Sequence, residues 1–267
     1  MDKLVASITR NGIPVVGFVN ESRLYQNGKL NNNKVEILHQ WVDGGLELGN
    51  HTWSHISLSK TTFAPFKKAV IRGETLTTQI LCGKGQSLRY FRYPILQVGS
   101  TLEQKARVEQ FLARRGYTIA PVTVNNADWV FALAYNRAHE KKDTALTGRV
   151  VSAYLTHLDD NFKYYEDLAL KLLRANIHHV LVLHANSLNA DHFDKVVDRI
   201  GQRSYQFISL EKALQHKAYE SLDTYAGSGN DSWLHHWLTS VGLRPLKAPE
   251  PPLFIRRLAG PKGYNRN

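Results

Sequence analysis

Short apolar runs alternate with longer amphipathic stretches along most of the chain. A continuous run such as Val180–Leu183 is typical of a buried parallel strand, and apolar residues at the spacing of Leu4, Val5 and Ile8 predict a helix. Further strands are predicted at Val15–Val19, Leu46–Gly49, Leu88–Tyr93, Tyr117–Val122 and Tyr205–Ile208. Further helices are predicted at Lys34–Val42, Phe63–Leu81, Thr101–Arg115, Ala132–Glu140, Tyr164–Asn176, Asp194–Ile200 and Leu210–Lys217. Strands that alternate with helices in this way predict an α/β fold with a parallel sheet or barrel.

The pattern changes after about residue 218. Tyr225–Asp231 is rich in Gly, Ser and Asp, Ser232–Val241 predicts a short aromatic helix capped by Ser232, and the prolines of Lys247–Pro252 exclude a helix there. We therefore expect one domain over residues 1–217 and a C-terminal extension over residues 218–267 that packs on it.

Composition narrows the possible classes of protein. The 267 residues are 43% hydrophobic and 21% charged, which is typical of a globular protein. No apolar run is long enough for a transmembrane helix, and a single cysteine, Cys82, allows neither an internal disulfide nor a cysteine-based zinc site. The formal charge of +11 suits an anionic partner. Because the basic residues are spread along the chain, the charge only weakly favours nucleic acid.

Two histidines follow directly on the predicted strand Leu46–Gly49. His51 and His55 are four residues apart, so both rings can face one metal ion from a single turn of chain. Functional residues of βα folds gather at the carboxyl ends of the strands, where this pair is expected. Such a site needs a third ligand, usually a carboxylate, and two unrelated surface histidines are an equally simple interpretation of the pair alone.

Three other residues lie after predicted strands and could carry chemistry. His184 ends the run Val180–Leu183 and could act as a general acid, Asp128 could hold its ring, and Arg92 could steady a carboxylate. Taken singly, each has a structural interpretation: a core histidine, a loop aspartate beside Trp129, and an arginine in an X-Pro turn. Taken together, they would surround one mouth of the fold.

The combination resembles the polysaccharide deacetylases, the NodB-homology domain of carbohydrate esterase family 4. His51-Thr52-Trp53-Ser54-His55 is similar to the family's histidine motif, and Phe91-Arg92-Tyr93-Pro94 to its arginine–proline motif. Asp128-Trp129 and Leu181-Val182-Leu183-His184 are similar to its last two motifs, in the same order. The resemblance covers residues 1–217 and not the C-terminal extension.

This resemblance implies a distorted (β/α) barrel, here without its first strand, and hydrolysis of an N-acetyl or O-acetyl group on a polysaccharide. It implies that His51 and His55 bind a divalent metal ion such as zinc, that His184 is the general acid, and that Asp128 and Arg92 position their partners. It further implies that Tyr93, Pro94, Trp129 and Leu183 contact the substrate, a chitin-like or peptidoglycan-like polymer.

The family's first motif, a strand that ends in two aspartates, has no counterpart before the first predicted helix. One of those aspartates is the family's catalytic base and the other its third metal ligand. Asp43, Glu47 and the pair Asp159-Asp160 are the possible substitutes, each poorly placed in the pattern. We therefore expect the chain to be a fragment of a longer protein that acts outside the cytoplasm, although no signal peptide is present.

Two other functions compete with deacetylation. A catalytically inactive carbohydrate-binding or scaffold protein would explain the missing aspartates. A nucleic-acid-binding domain would explain only the charge, and the deacetylase interpretation accounts better for Tyr90, Arg92 and Tyr93, so we expect no nucleic-acid partner. The sequence does not indicate an oligomeric state.

Overall fold

A computed structural model describes residues 1–261 of the chain. Its strands are β1 (Val16–Val19), β2 (Tyr25–Gln26), β3 (Lys29–Leu30), β4 (Glu47–Asn50), β5 (Tyr90–Phe91) and β6 (Thr118–Ile119). Its helices are α1 (Asp2–Arg10), α2 (Asn32–Asp43), α3 (Phe63–Arg72), α4 (Thr75–Cys82), α5 (Leu102–Arg114), α6 (Asp128–Glu140), α7 (Thr144–Leu173), α8 (Ser187–Gly201), α9 (Leu210–Leu214), α10 (Trp233–Ser240) and α11 (Leu253–Ala259). Strands and helices alternate over the first half of the chain, which confirms the α/β class.

The main sheet of the fold is parallel and has the strand order β1-β4-β5-β6. Val16 pairs with Glu47, and Asn50 pairs with Phe91, so the carboxyl ends of neighbouring strands lie at one edge. An isolated parallel bridge between Val124 and Leu181 extends the array beyond β6. The described strands form no closed barrel, since β1 pairs only with β4. The fold is thus an open, distorted relative of a (β/α) barrel, as predicted.

Two predicted strands are wrong. Val180–Leu183 is extended, but it meets its neighbour at a single bridge, through Leu181, so no ladder forms. Tyr205–Ile208 has no bridge to any described residue and remains irregular. Both runs are partly buried, which explains their apolar composition. A strand also needs a hydrogen-bonded partner over consecutive residues, and an apolar run alone does not reveal one.

Several predicted helices have different bounds in the structure, and for two of them the cause is evident. The stretch Phe63–Leu81 is divided into α3 and α4 at Gly73, although its apolar spacing is continuous. A Cβ atom on Gly73 would lie 2.6 Å from the backbone of Thr52 and Trp53, so the loop after β4 rests directly on this break. The helix predicted from Tyr164 begins at Thr144 instead, where the Asp143 side chain accepts a hydrogen bond from Leu146 N (2.8 Å).

The first helix packs on the rest of the fold and does not lie free. Its residues Leu4, Val5 and Ile8 are buried in a cluster that also contains Trp41 of α2 and Phe193 of α8. Lys3 pairs with Asp191 of α8 (2.9 Å) and Arg10 with Asp194 (2.6 Å). Helix α1 therefore packs on a helix that lies more than 180 residues later in the sequence, which the local pattern did not indicate.

The C-terminal extension shares the main hydrophobic cluster of the preceding domain. Trp233, Trp237 and Ile255 are buried in the same cluster as the side chains of α5, α6 and α7. Lys105 of α5, only 4% exposed, pairs with Asp223 (2.8 Å) and thereby fastens the start of the extension. The predicted domain boundary at residue 217 remains a prediction. Among the described helices, none has the length and hydropathy required to span a membrane.

We expect Gly73→Ala to lower the free energy of unfolding by about 1–3 kcal/mol, because the added Cβ meets backbone that cannot turn aside. Gly83→Ala is the matched control. Both glycines follow a helix with negative φ (−82° and −61°), but a Cβ on Gly83 would have its nearest neighbour at 3.4 Å. Urea unfolding of the two variants measures the difference, and equal losses would contradict the explanation.

Candidate active site

The parallel pairing of β4 with β5 brings the first two predicted motifs together. Arg92 N donates to the carbonyl of Asn50 (3.0 Å), which fixes the two strand ends at the same level. His51, the next residue after β4, then donates from Nδ1 to the carbonyl of Arg92 (2.7 Å). Residues that are 41 positions apart in sequence thus become neighbours because both follow parallel strands.

A tight loop, and not a helix, places His55 beside His51. Thr52 and His55 both have positive φ (64° and 60°), a rare backbone conformation for residues other than glycine. The Asn50 side chain accepts a hydrogen bond from Thr52 N (2.8 Å) and holds the start of the loop. The His51 and His55 rings consequently meet edge to face, with their centroids 4.8 Å apart.

His51 is held as a neutral imidazole. Burial, followed by the nearby His55, lowers the pKa of His51 to about 3, although its hydrogen bond to Arg92 opposes this shift. Because the Arg92 carbonyl can only accept, the ring proton is on Nδ1 and the Nε2 lone pair is unprotonated. This is the form in which histidine binds metal ions, with its second nitrogen fixed by a backbone carbonyl.

The two histidines do not complete a metal site. Within residues 1–261, no group of three or more His, Cys, Asp or Glu side chains is arranged to hold an ion. The acidic side chains considered as substitutes are engaged elsewhere: Asp43 pairs with Lys84 (2.7 Å) and Glu47 with Arg89 (2.8 Å) at the amino end of β4. Asp159 and its neighbour lie in the middle of α7. The donor set is one ligand short of the usual three.

His184 and Asp128 form a hydrogen-bonded pair at the same edge of the sheet. Asp128 is the first residue of α6 and is 1% exposed, and its Oδ1 accepts from His184 Nδ1 (2.6 Å). The helix N-terminus favours a carboxylate at this position. The His184 side chain is 41% exposed, so its Nε2 can meet a molecule that enters the mouth. This pair can move a proton at His184 Nε2 while Asp128 fixes the ring.

Two asparagines complete the surroundings of Asp128, and the sequence reasoning missed both. Asn186 and Asn189 donate to Asp128 Oδ2 (2.9 and 2.7 Å). Asn186 stands at the N-cap of α8, a position that favours asparagine, so its place at a helix start could have been predicted. Asn189 lies within the helix and gives no comparable signal.

Arg92 is a buried cation whose predicted carboxylate partner is not found among the described residues. Its side chain is 8% exposed and donates to the carbonyls of Ala120 (3.3 Å) and Pro121 (3.4 Å), while its guanidinium lies 4.1 Å from the centre of the Phe18 ring. Burial lowers the pKa of Arg92 to about 9. The guanidinium is therefore solvated by dipoles and a ring, without an opposite charge.

The four residues predicted to contact substrate differ in accessibility. The side chain of Tyr93 is fully buried in the main hydrophobic cluster, stacked on Phe66, so only its backbone could meet a substrate, and its predicted contact remains a prediction. Pro94 is also buried and begins a short 3-10 turn. Trp129 and Leu183 are partly exposed beside Asp128 and His184, and their predicted roles remain predictions.

Part of the chain matches the sequence model of a known family. The sequence model of a family described as "Polysaccharide deacetylase" matches residues 1–116. No curated protein sequence matches the chain.

Among solved structures, the fold is similar to BA3943 of Bacillus anthracis, described as a carbohydrate esterase family 4 (CE4) pseudoenzyme. A BA3943 mutant is 12% identical with a TM-score of 0.56, and the match covers 80% of this chain and 62% of that one. Wild-type BA3943 is 12% identical with a TM-score of 0.53, covering 80% and 60%. A mutant of PdaC, a peptidoglycan deacetylase from Bacillus subtilis, is 16% identical with a TM-score of 0.50, covering 82% and 85%. The chain thus spans less than two thirds of BA3943, and at these identities the likeness concerns the fold alone.

We expect the free energy of unfolding to fall as the pH drops from about 6.5 towards 5. Burial lowers the folded-state pKa values of His51 and His157 to about 3 and about 4, below the ordinary 6.5. Unfolding therefore takes up protons in this range, and each such histidine contributes at most about 1.4 kcal/mol per pH unit. His51→Gln should reduce this pH dependence in urea unfolding. His39→Gln on α2 is the control, and an unchanged dependence in His51→Gln would contradict the assignment.

Proposed function

We propose that the chain removes acetyl groups from an acetylated polysaccharide, because its residues 1–116 match the sequence model of the polysaccharide deacetylase family. The reaction is hydrolysis of an acetamide or an acetyl ester on a sugar. The observation that carries the proposal is the placement of the Asp128–His184 pair and the His51–His55 pair at the carboxyl ends of one parallel sheet.

The Asp128–His184 pair fits the acid step of such a reaction. Water adds to the carbonyl carbon, the bond to the sugar nitrogen breaks, and the departing amine needs a proton. His184, protonated at Nε2, would give that proton, while Asp128 holds Nδ1 and the orientation of the ring. The products are acetate and a free amino sugar, so His184 must be reprotonated before the next turnover.

His51 and His55 are the ligands that we propose for a divalent metal ion, with zinc as the expected ion. When bound, such an ion supplies a Lewis acid and an activated water to an acetyl-transfer site. His51 is suited to bind such an ion, because its ring is neutral and its Nδ1 donates a hydrogen bond to a backbone carbonyl. The described residues supply two ligands, so we propose weak metal binding. They also place no carboxylate base beside Arg92, so we propose slow hydrolysis.

The proposed substrate is a chitin-like or peptidoglycan-like polymer, which implies a site of action outside the cytoplasm. The half-buried Trp129 and Leu183 would line the sugar site beside His184. The formal charge of +11 would attract an anionic wall polymer. PdaC, which has a similar fold, is named a peptidoglycan deacetylase.

A second function is an inactive carbohydrate-binding or scaffold protein. It is favoured by one observation, the buried Arg92 guanidinium with no carboxylate partner in residues 1–261. Such a protein would keep the groove and bind the sugar without releasing acetate. The similar fold of BA3943, described as a pseudoenzyme, is compatible with this alternative.

Zinc binding gives the first test. We expect calorimetry to show binding at least about 10–100-fold weaker than at a three-ligand site, since losing even an outer partner of a ligand costs that much. His51→Gln and His55→Gln should each abolish the binding signal, whereas His139→Gln on the exposed end of α6 should leave it unchanged. Tight stoichiometric binding by the unmodified chain would contradict the two-ligand site.

Acetate release from acetylated chitin oligosaccharides and from peptidoglycan fragments gives the second test. We expect slow release that added formate increases, because a small carboxylate can approach the unpaired Arg92 charge. His184→Gln should reduce release by at least about tenfold, since general acid catalysis contributes that much or more. His139→Gln is the matched control. Oligosaccharide binding without any release, with or without formate and zinc, would instead establish the inactive binding protein.

A further inference from the structure

The Asp128 carboxylate accepts four hydrogen bonds, and they divide unequally between its oxygens. Among residues 1–261, Oδ1 accepts only from His184 Nδ1 (2.6 Å). Oδ2 accepts from His184 N (2.9 Å), Asn186 Nδ2 (2.9 Å) and Asn189 Nδ2 (2.7 Å). Three donors on one oxygen resist rotation of the carboxylate, because any turn breaks several charge-assisted hydrogen bonds at once.

Asn189 is held in one orientation by its own partners. Its Nδ2 contacts Asp128 Oδ2 and also the carbonyl of His184 (2.8 Å), two atoms that can only accept. The amide oxygen must therefore be the atom that faces Tyr154, whose hydroxyl donates to it (2.8 Å). Asn189 is 1% exposed and Tyr154 is fully buried, so water cannot readily replace these bonds.

Asn186 connects the same carboxylate to the start of α8. Its Oδ1 accepts from Asn189 N (2.9 Å), which is the N-cap bond of the helix, and its Nδ2 donates to Asp128. The cap bond needs an oxygen at that position and so directs the amide nitrogen to Asp128. The Asp128 carboxylate is thereby linked to three parts of the fold: helix α8, helix α7 through Tyr154, and the segment that ends at His184.

We propose that Asn189, together with Asn186 and Tyr154, is a positioning residue that sets the tautomer of His184. With Oδ2 occupied by three donors, Oδ1 is left to bind His184 Nδ1, so the neutral ring carries its proton on Nδ1 and presents Nε2 to the mouth. The catalytic use of this arrangement rests on the proposed function, in which His184 Nε2 delivers a proton to the leaving amine.

Nitrogen-15 NMR of the imidazole groups tests the proposal, since the shifts of Nδ1 and Nε2 distinguish the two neutral tautomers. We expect a single Nδ1–H tautomer for His184 in the unmodified chain. Asn189→Leu, which removes both donors at similar volume, should give a mixture of tautomers. Asn186→Ser, which keeps a capping oxygen and removes only the donor to Asp128, should give a smaller shift in the same direction, as should Tyr154→Phe.

The matched control is Asn161→Leu. Asn161 is also 1% exposed, but in the described part of the chain its side chain bonds only to His157. Its loss therefore carries a similar structural cost without touching Asp128. If Asn189→Leu fails to fold, Asn186→Ser and Tyr154→Phe decide the question. An unchanged His184 tautomer in the folded variants would overturn the proposal, as would an equal change in Asn161→Leu.

The NMR result does not depend on turnover and so separates this inference from the proposed function. Where acetate release is measurable, Asn189→Leu should lower kcat by about tenfold or more with little change in KM, because the variant alters proton delivery and not substrate contact. A mixture of tautomers in Asn189→Leu together with no acetate release from the unmodified chain would support the positioning role and reject deacetylation.

Discussion

The buried carboxylate of Asp128 determines how the residues around His184 are arranged. Asp128 is almost completely excluded from water, and an ionised carboxylate in that position is unfavourable unless donors surround it. The donors come from α8 and from the segment before it, and Tyr154 of α7 supports one of them. Removing one hydrogen-bond partner from a buried group typically costs about 1–3 kcal/mol, and more when the group is charged. The same bonds that stabilise the carboxylate therefore align His184.

Arg92, on the other side of the mouth, is a buried charge without a partner of opposite charge among the described residues. It is buried as deeply as many core residues, yet its guanidinium meets two carbonyls and the face of Phe18 in place of a carboxylate. The lowered pKa of Arg92 expresses the cost of this environment, because burial disfavours the charged form. A small anion bound beside Arg92 would offset the unfavourable burial of the guanidinium charge. We therefore expect small carboxylates to bind here.

The sequence predicted the parts of the site that depend on neighbours along the chain. His51 and His184 follow apolar runs, and parallel strands end at one edge, so their approach to a common mouth could be inferred. Asn189 could not be inferred in this way, because its contact with Asp128 depends on the direction in which α8 leaves the sheet. The break at Gly73 depends similarly on the backbone of Thr52, about twenty residues earlier.

The two halves of the mouth are held by separate sets of hydrogen bonds, and this bears on both candidate functions. The Asp128 network draws its donors from residues 184–189 and α7, whereas His51, His55 and Arg92 are positioned by β4, β5 and the turn that rests on Gly73. The two sets share no residue, although the charge of His184 contributes to the lowered pKa of His51. The hydrogen bonds of the acid half therefore do not require a third metal ligand in the other half. The same fold can consequently support slow hydrolysis or binding alone, and a carboxylate beside Arg92 is the component that would separate the two.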